Sequence, residues 1–174
     1  MNSTRWTLAI AAAVALAFFT MLVLIPFMTT TLSDGVASYS QGNFAKAYKE
    51  LRPLADDGEP TAQYMMGEMF RMGQGVKKEE VAAVKWYKKA AEGGSPEGQY
   101  ALGMCYATGV GTEVDMIGAY QWLSIAIIRL ASWQNERRTL AAETRTKLLT
   151  VMDQSDVEKA KALVLTWDRK FGGS

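Results

Sequence analysis

Cys105 is the one cysteine in this 174-residue chain, and histidine is absent. A lone thiol becomes a nucleophile or redox group when a neighbouring cation lowers its pKa, but no basic residue flanks Cys105. The lack of histidine removes the commonest general base and the commonest metal ligand. A single cysteine also forms no internal disulfide. Glu79, Glu80, Glu113 and Asp115 fall where helices begin, so helix capping accounts for them better than acid–base catalysis. Gly73-x-Gly75 and Gly109-x-Gly111 lie between helices rather than after a strand, which distinguishes them from a phosphate-binding loop. No catalytic, cofactor-binding or metal-ligating set emerges, and the expectation is a protein that is not an enzyme.

Charge narrows the partners further. A net charge of +1 gives no electrostatic footprint for nucleic acid. Lys77, Lys78, Lys85, Lys88 and Lys89 cluster, but Glu79, Glu80 and Glu92 dilute them. A solvated face explains this cluster more simply than contact with anionic lipid headgroups.

The elements that would position any site come from a self-similarity at a spacing of 36 residues. Gly58, Pro60, Gln63, Tyr64, Gly67, Gly73 and Gly75 recur as Gly94, Pro96, Gln99, Tyr100, Gly103, Gly109 and Gly111. Ala83, Trp86 and Ala90 recur as Ala119, Trp122 and Ala126. A period of 20 to 50 residues is the signature of a solenoid. Each unit reads as two helices. The first opens at Pro60 or Pro96, where proline suits the initial turn, and stops at Gly73 or Gly109. The second starts near Glu79 or Asp115. Gly67 and Gly103 sit in mid-helix at a cost of roughly 1 kcal/mol against alanine. Close approach to the facing helix, with Trp86 or Trp122 opposite, would recover that cost.

The residues Ala62, Met66, Gly67, Phe70, Gly73, Gly75, Val76, Ala83, Trp86, Tyr87, Ala90 and Ala91 resemble the Sel-one-like repeat, a relative of the tetratricopeptide repeat. The second unit resembles it at Leu102, Gly103, Tyr106, Gly109, Gly111, Asp115, Ala119, Trp122 and Ala126, and departs at Thr112, Leu123 and Ile127. The resemblance implies an all-α fold, an α-solenoid of antiparallel helix pairs, with an adaptor or scaffold role and a protein partner. Upstream, Gly35 and Gly42-Asn43-Phe44 resemble the tetratricopeptide variant, whose inter-helix loop is shorter; Asn43 is placed to cap the second helix.

Leu8 to Met28 carries no charge over 21 residues, enough for a helix of roughly 30 Å, the thickness of a bilayer core. Arg5 precedes it, and no Lys or Arg follows until Lys46. That bias predicts a single-pass transmembrane helix, N-terminus cytoplasmic and C-terminal domain periplasmic. Its contact with membrane lipid would be through this helix. The alternative is a secreted periplasmic protein released after signal-peptide cleavage at Gly35-Val36-Ala37, but that site lies far from the apolar run and inside an expected helix.

The resulting plan is a cytoplasmic N-terminus over 1–7, a span over 8–28 and a linker over 29–33. A tetratricopeptide-like hairpin follows over 34–57, then repeats over 58–93 and 94–129, a C-terminal helical hairpin over 130–171 and a tail over 172–174. In the C-terminal region Leu130, Trp133, Leu140, Thr144, Leu148 and Met152 suggest one buried stripe. Val157, Ala160, Val164, Trp167 and Phe171 suggest another, and Ser155 to Glu158 reads as a capping box.

For the binding surface, first-helix positions that differ between the units are dispensable for common packing. They are Met65, Glu68, Arg71 and Met72 in unit one, and Ala101, Met104 and Thr108 in unit two. These are the expected protein-binding residues, with methionines as an adaptable apolar surface. A short linker holds them near the membrane, so the expected role is an accessory or assembly subunit of a bacterial inner-membrane complex. No small-molecule substrate is implied.

Overall fold

The computed structural model describes residues 30–171. The expected membrane span over 8–28 and the tail over 172–174 lie outside the described residues. Among the described residues there are eight helices and no strand, and no helix is long and apolar enough to cross a membrane. They are α1 (Leu32–Ser40), α2 (Phe44–Asp56), α3 (Pro60–Met72), α4 (Glu80–Glu92), α5 (Pro96–Thr108), α6 (Met116–Arg129), α7 (Asn135–Val151) and α8 (Gln154–Phe171). Consecutive helices from α1 to α7 pack side by side, and α8 packs on α6. α1 begins at Leu32, inside the stretch expected to be linker.

Local signals set the helix ends. Pro60 and Pro96 occupy first turns, behind the caps Glu59 and Ser95. Gly73 and Gly109 close α3 and α5 in the left-handed conformation, their amides donating to Met69 O and Cys105 O. Asn43 and Asp115 cap α2 and α6 through their side chains. Glu79 precedes α4 but makes no side-chain capping bond, contrary to expectation. Its extended backbone instead lets its amide donate to Phe70 O at 2.9 Å, as Asp115 N does to Tyr106 O at 3.0 Å.

Three contacts recur along the stack. Within each hairpin a first-helix glycine meets a fixed position on the second helix. A Cβ on Gly35 would lie 2.5 Å from Leu51, on Gly67 2.4 Å from Tyr87, and on Gly103 2.8 Å from Leu123. Those partners are spaced at the repeat interval. The residue opposite Gly67 is therefore Tyr87 rather than Trp86, which turns toward Met65, Met66 and Leu51. Between hairpins, Gly75 seats on the Phe44 carbonyl and Gly111 on the Glu80 carbonyl, so that an added Cβ would lie 2.6 and 2.4 Å from oxygen. Both glycines have φ of +71°, which L side chains rarely adopt. Finally, the buried amides of Gln63 and Gln99 donate to Ala55 O at 3.0 Å and Ala91 O at 3.3 Å. Each satisfies a carbonyl at the end of the preceding helix, a net contribution of about 1 kcal/mol.

α7 departs from its expected stripe, whereas α8 keeps the expected one at Val157, Ala160, Val164 and Trp167. α7 starts only at Asn135, so Trp133 belongs to the preceding turn and is 80% exposed. The buried residues on α7 are Ala141 and Leu148, whereas Leu140 is exposed. On α8, Val157, Ala160 and Trp167 are buried and Val164 is half-buried. The capping residue of α8 is Asp153, whose Oδ1 accepts from Asp156 N at 2.8 Å, two residues earlier than the Ser155 capping box. Ala141, Leu148 and Ala160 share a cluster with Ala119, Tyr120 and Leu123, so α7 and α8 both rest on α6.

Candidate protein-binding groove

A groove of about 380 Å³ runs over α3 and α5, the first helices of the two units. Tyr64, Glu68 and Arg71 come from α3, and Tyr87 from α4. Tyr100, Ala101, Met104, Cys105 and Thr108 come from α5, Val110 from the following loop, and Arg137 from α7. Five of the expected binding residues, Glu68, Arg71, Ala101, Met104 and Thr108, are brought together here. Met65 is not: it is buried in the core between α2, α3 and α4. Met72 is 53% exposed but does not line the groove. Variation between units marks freedom from the shared packing, but it does not say which way a side chain points.

The floor of the groove in unit one is a closed polar network. Arg71 grips Glu68 with two hydrogen bonds, Nε to Oε1 at 3.1 Å and Nη2 to Oε2 at 2.7 Å. The Tyr87 hydroxyl donates to Glu68 Oε1 as well. Burial raises the pKa of Glu68, but these donors outweigh it and hold the carboxyl below the usual range. Burial first, and then the Glu68 charge, pushes Tyr87 far above its ordinary value. Tyr64 is pushed up to about 12, mainly by burial and next by Glu68. Both phenols stay neutral at physiological pH.

Arg137 forms the far wall. Its Nη2 donates to the Tyr64 hydroxyl at 3.1 Å. Its guanidinium carbon lies 5.8 Å from the centroid of the Tyr64 ring and 5.9 Å from that of Tyr100. These are cation–π distances, and they use the one tyrosine pair that repeats between the units. Cys105 is 7% exposed and burial pushes its thiol up to about 11. A thiol so placed is little ionised and a poor nucleophile. Among the described residues no cluster of three acidic, cysteine or histidine side chains could hold a metal ion.

Sequence reasoning missed Tyr64, Tyr87, Tyr100 and Arg137. The tyrosines were passed over because they match, or nearly match, the repeat pattern. Their signal was a polar-tipped ring at both Tyr64 and Tyr100, with Glu68 one turn after the first. Arg137 had no signal, since it lies 73 residues from Tyr64.

Comparison with known proteins accounts for the recurrence. Residues 60–95 and 96–128 match the Sel1 repeat model. The matched segments are the two repeat units, α3 with α4 and α5 with α6. The described helices form a solenoid like those of SLR-fold proteins. A protective antigen present in uropathogenic Escherichia coli strains, which displays an SLR fold, superposes with a TM-score of 0.68 at 28% identity. That match covers 80% of this chain, and the chain spans 29% of the antigen's length. A Sel1 repeat protein from Oxalobacter formigenes gives a TM-score of 0.49 at 28% identity, covering 62% of this chain and 96% of that one. No curated protein sequence matches the chain. Sel1-repeat proteins are generally protein–protein interaction modules.

Proposed function

We propose that this chain binds a partner protein through the groove over α3 and α5, as a membrane-tethered accessory or assembly subunit of a bacterial inner-membrane complex. The carrying observation is the groove itself. It spans both Sel1 repeats, is walled by tyrosines and an arginine, and offers Met104, Ala101 and Val110 as apolar contacts beside polar ones. Aromatic and arginine side chains dominate binding energy at interfaces. Nothing in it suits covalent chemistry, with the thiol pushed up and the one carboxylate held by two donors.

The tether rests on the uncharged run over 8–28 and on the charge bias around it. Retention of this segment is supported by the position of Ala37, which lies within α1. Cleavage there would separate Gly35 from the rest of α1 and remove its contact with Leu51.

A photo-crosslinking residue at Thr108 or Met104, used in native membranes, is expected to capture a membrane protein. Capture only from positions on other faces, such as Lys85, would overturn the assignment of the groove. Recovery of the chain in the aqueous fraction with residues 1–29 still attached would overturn the tether.

A further inference from the structure

We infer that the groove receives an acidic segment of the partner protein, with one aspartate or glutamate carboxylate held on the guanidinium of Arg137. This rests on the reading that the groove is the partner's site. Every other charge in the groove is matched from within: Glu68 takes both arms of Arg71 and the Tyr87 hydroxyl. Arg137 differs. Its one hydrogen bond goes to a neutral phenol, and among the described residues no carboxylate forms an ion pair with it. The Tyr64 and Tyr100 rings lie within cation–π range of the guanidinium and help fix its position. A guanidinium carries five N–H donors in a rigid fork that matches a carboxylate with two bonds. One of those donors is used.

The surroundings select a monoanion. Glu68 shares the groove and repels a dianion such as a phosphate more strongly than a carboxylate. Arg71, which could have supplied a second fork, is already occupied by Glu68. Beside this position, Ala101, Met104 and Val110 provide apolar wall. The segment that fits therefore carries an acidic residue with an apolar neighbour.

A random dodecapeptide display library, selected on the full chain in detergent micelles, tests this. Parallel selections use Arg137→Gln and the groove-filling Thr108→Trp. The leading peptide is then compared with its own Glu→Gln or Asp→Asn counterpart by fluorescence anisotropy. The expected result is a fixed acidic position among peptides that Thr108→Trp excludes. The amide counterpart should bind about tenfold or more weakly, as loss of a charge-assisted bidentate pair implies. On Arg137→Gln the two peptides should bind alike, while Arg137→Lys should restore part of the difference. The peptide-side comparison on the unaltered chain reads the same contact even if an Arg137 variant fails to fold. Peptides that need the groove but carry no acidic position, or that bind equally as amides, overturn the inference and leave the groove's function standing. A selection yielding no peptide sensitive to Thr108→Trp overturns both.

Discussion

The two repeat units share one packing rule and use it for different ends. In the first, the glycine of α3 lies on Tyr87; in the second, the glycine of α5 lies on Leu123. The tyrosine fills the same slot and then extends a hydroxyl to Glu68, which also holds Arg71. The leucine ends in hydrocarbon and joins the cluster on which α7 and α8 rest. At the positions of Glu68 and Arg71 the second unit has Met104 and Ala107. One repeat thus carries the polar floor of the groove, and the other an apolar platform that finishes the stack. The glycine contact belongs to the fold, and what lies beyond the second-helix residue is free to carry function.

The comparison breaks most forcefully at the loops. Gly111→Ala and Gly75→Ala each force a left-handed backbone on an L residue and press a methyl onto a carbonyl oxygen. Each should destabilise by about 3 kcal/mol or more, read as a lowered midpoint in urea unfolding. Equal losses at the two sites would show that the opening hairpin is held as firmly as the repeats themselves.

Gly67→Ala places a methyl against the rigid ring of fully buried Tyr87, whereas Gly103→Ala meets Leu123. Overpacking should outweigh the helix-propensity gain at Gly67 and cost about 2 kcal/mol. At Gly103 the cost should be about 1 kcal/mol less. A reversed order would mean that the leucine slot is the stiffer one.

Exchanging the slot residues sharpens the contrast. Tyr87→Leu leaves Glu68 with Arg71 alone and should cost about 1–2 kcal/mol. Leu123→Tyr adds a hydroxyl beside Met104 with no carboxylate to receive it, and should cost a similar amount by burying an unpaired polar group.

The smallest effect is in pH. Because the folded-state pKa of Glu68 is depressed, its stabilisation is present above the ordinary value of 4.5 and is lost as pH falls through the lower folded value. The stability gap between the natural chain and Glu68→Gln should therefore narrow below about pH 4.5 in acid titrations. Met104→Gln, the equivalent change in the second unit, should give a gap that does not vary with pH.

Much of this fold was legible because the determinants are local or periodic. Proline openings, glycine stops and the cap at Asn43 each depend on a few adjacent residues. The mid-helix glycines announced close approach by their cost alone. Which residue approached was harder. Trp86 and Tyr87 are neighbours in sequence, yet one helical step of about 100° turns them to different sides. The same step put the buried stripe of α7 on Ala141 instead of Leu140. The groove was half legible. Positions that vary between units found Glu68, Arg71, Ala101, Met104 and Thr108, but could not tell the buried Met65 from its neighbours. Arg137 joins the site through folding after the periodicity has ended, so no spacing could have revealed it.

The seating of Gly75 on Phe44 and of Gly111 on Glu80 carries a consequence for how such a chain changes size. Each seat asks only for a carbonyl at the opening of the second helix of the preceding hairpin. A second copy of Pro60–Ser95 spliced after Ser95 would meet that demand at both of its borders. Duplication of a whole unit is therefore a route to a longer stack that reuses the seats already present.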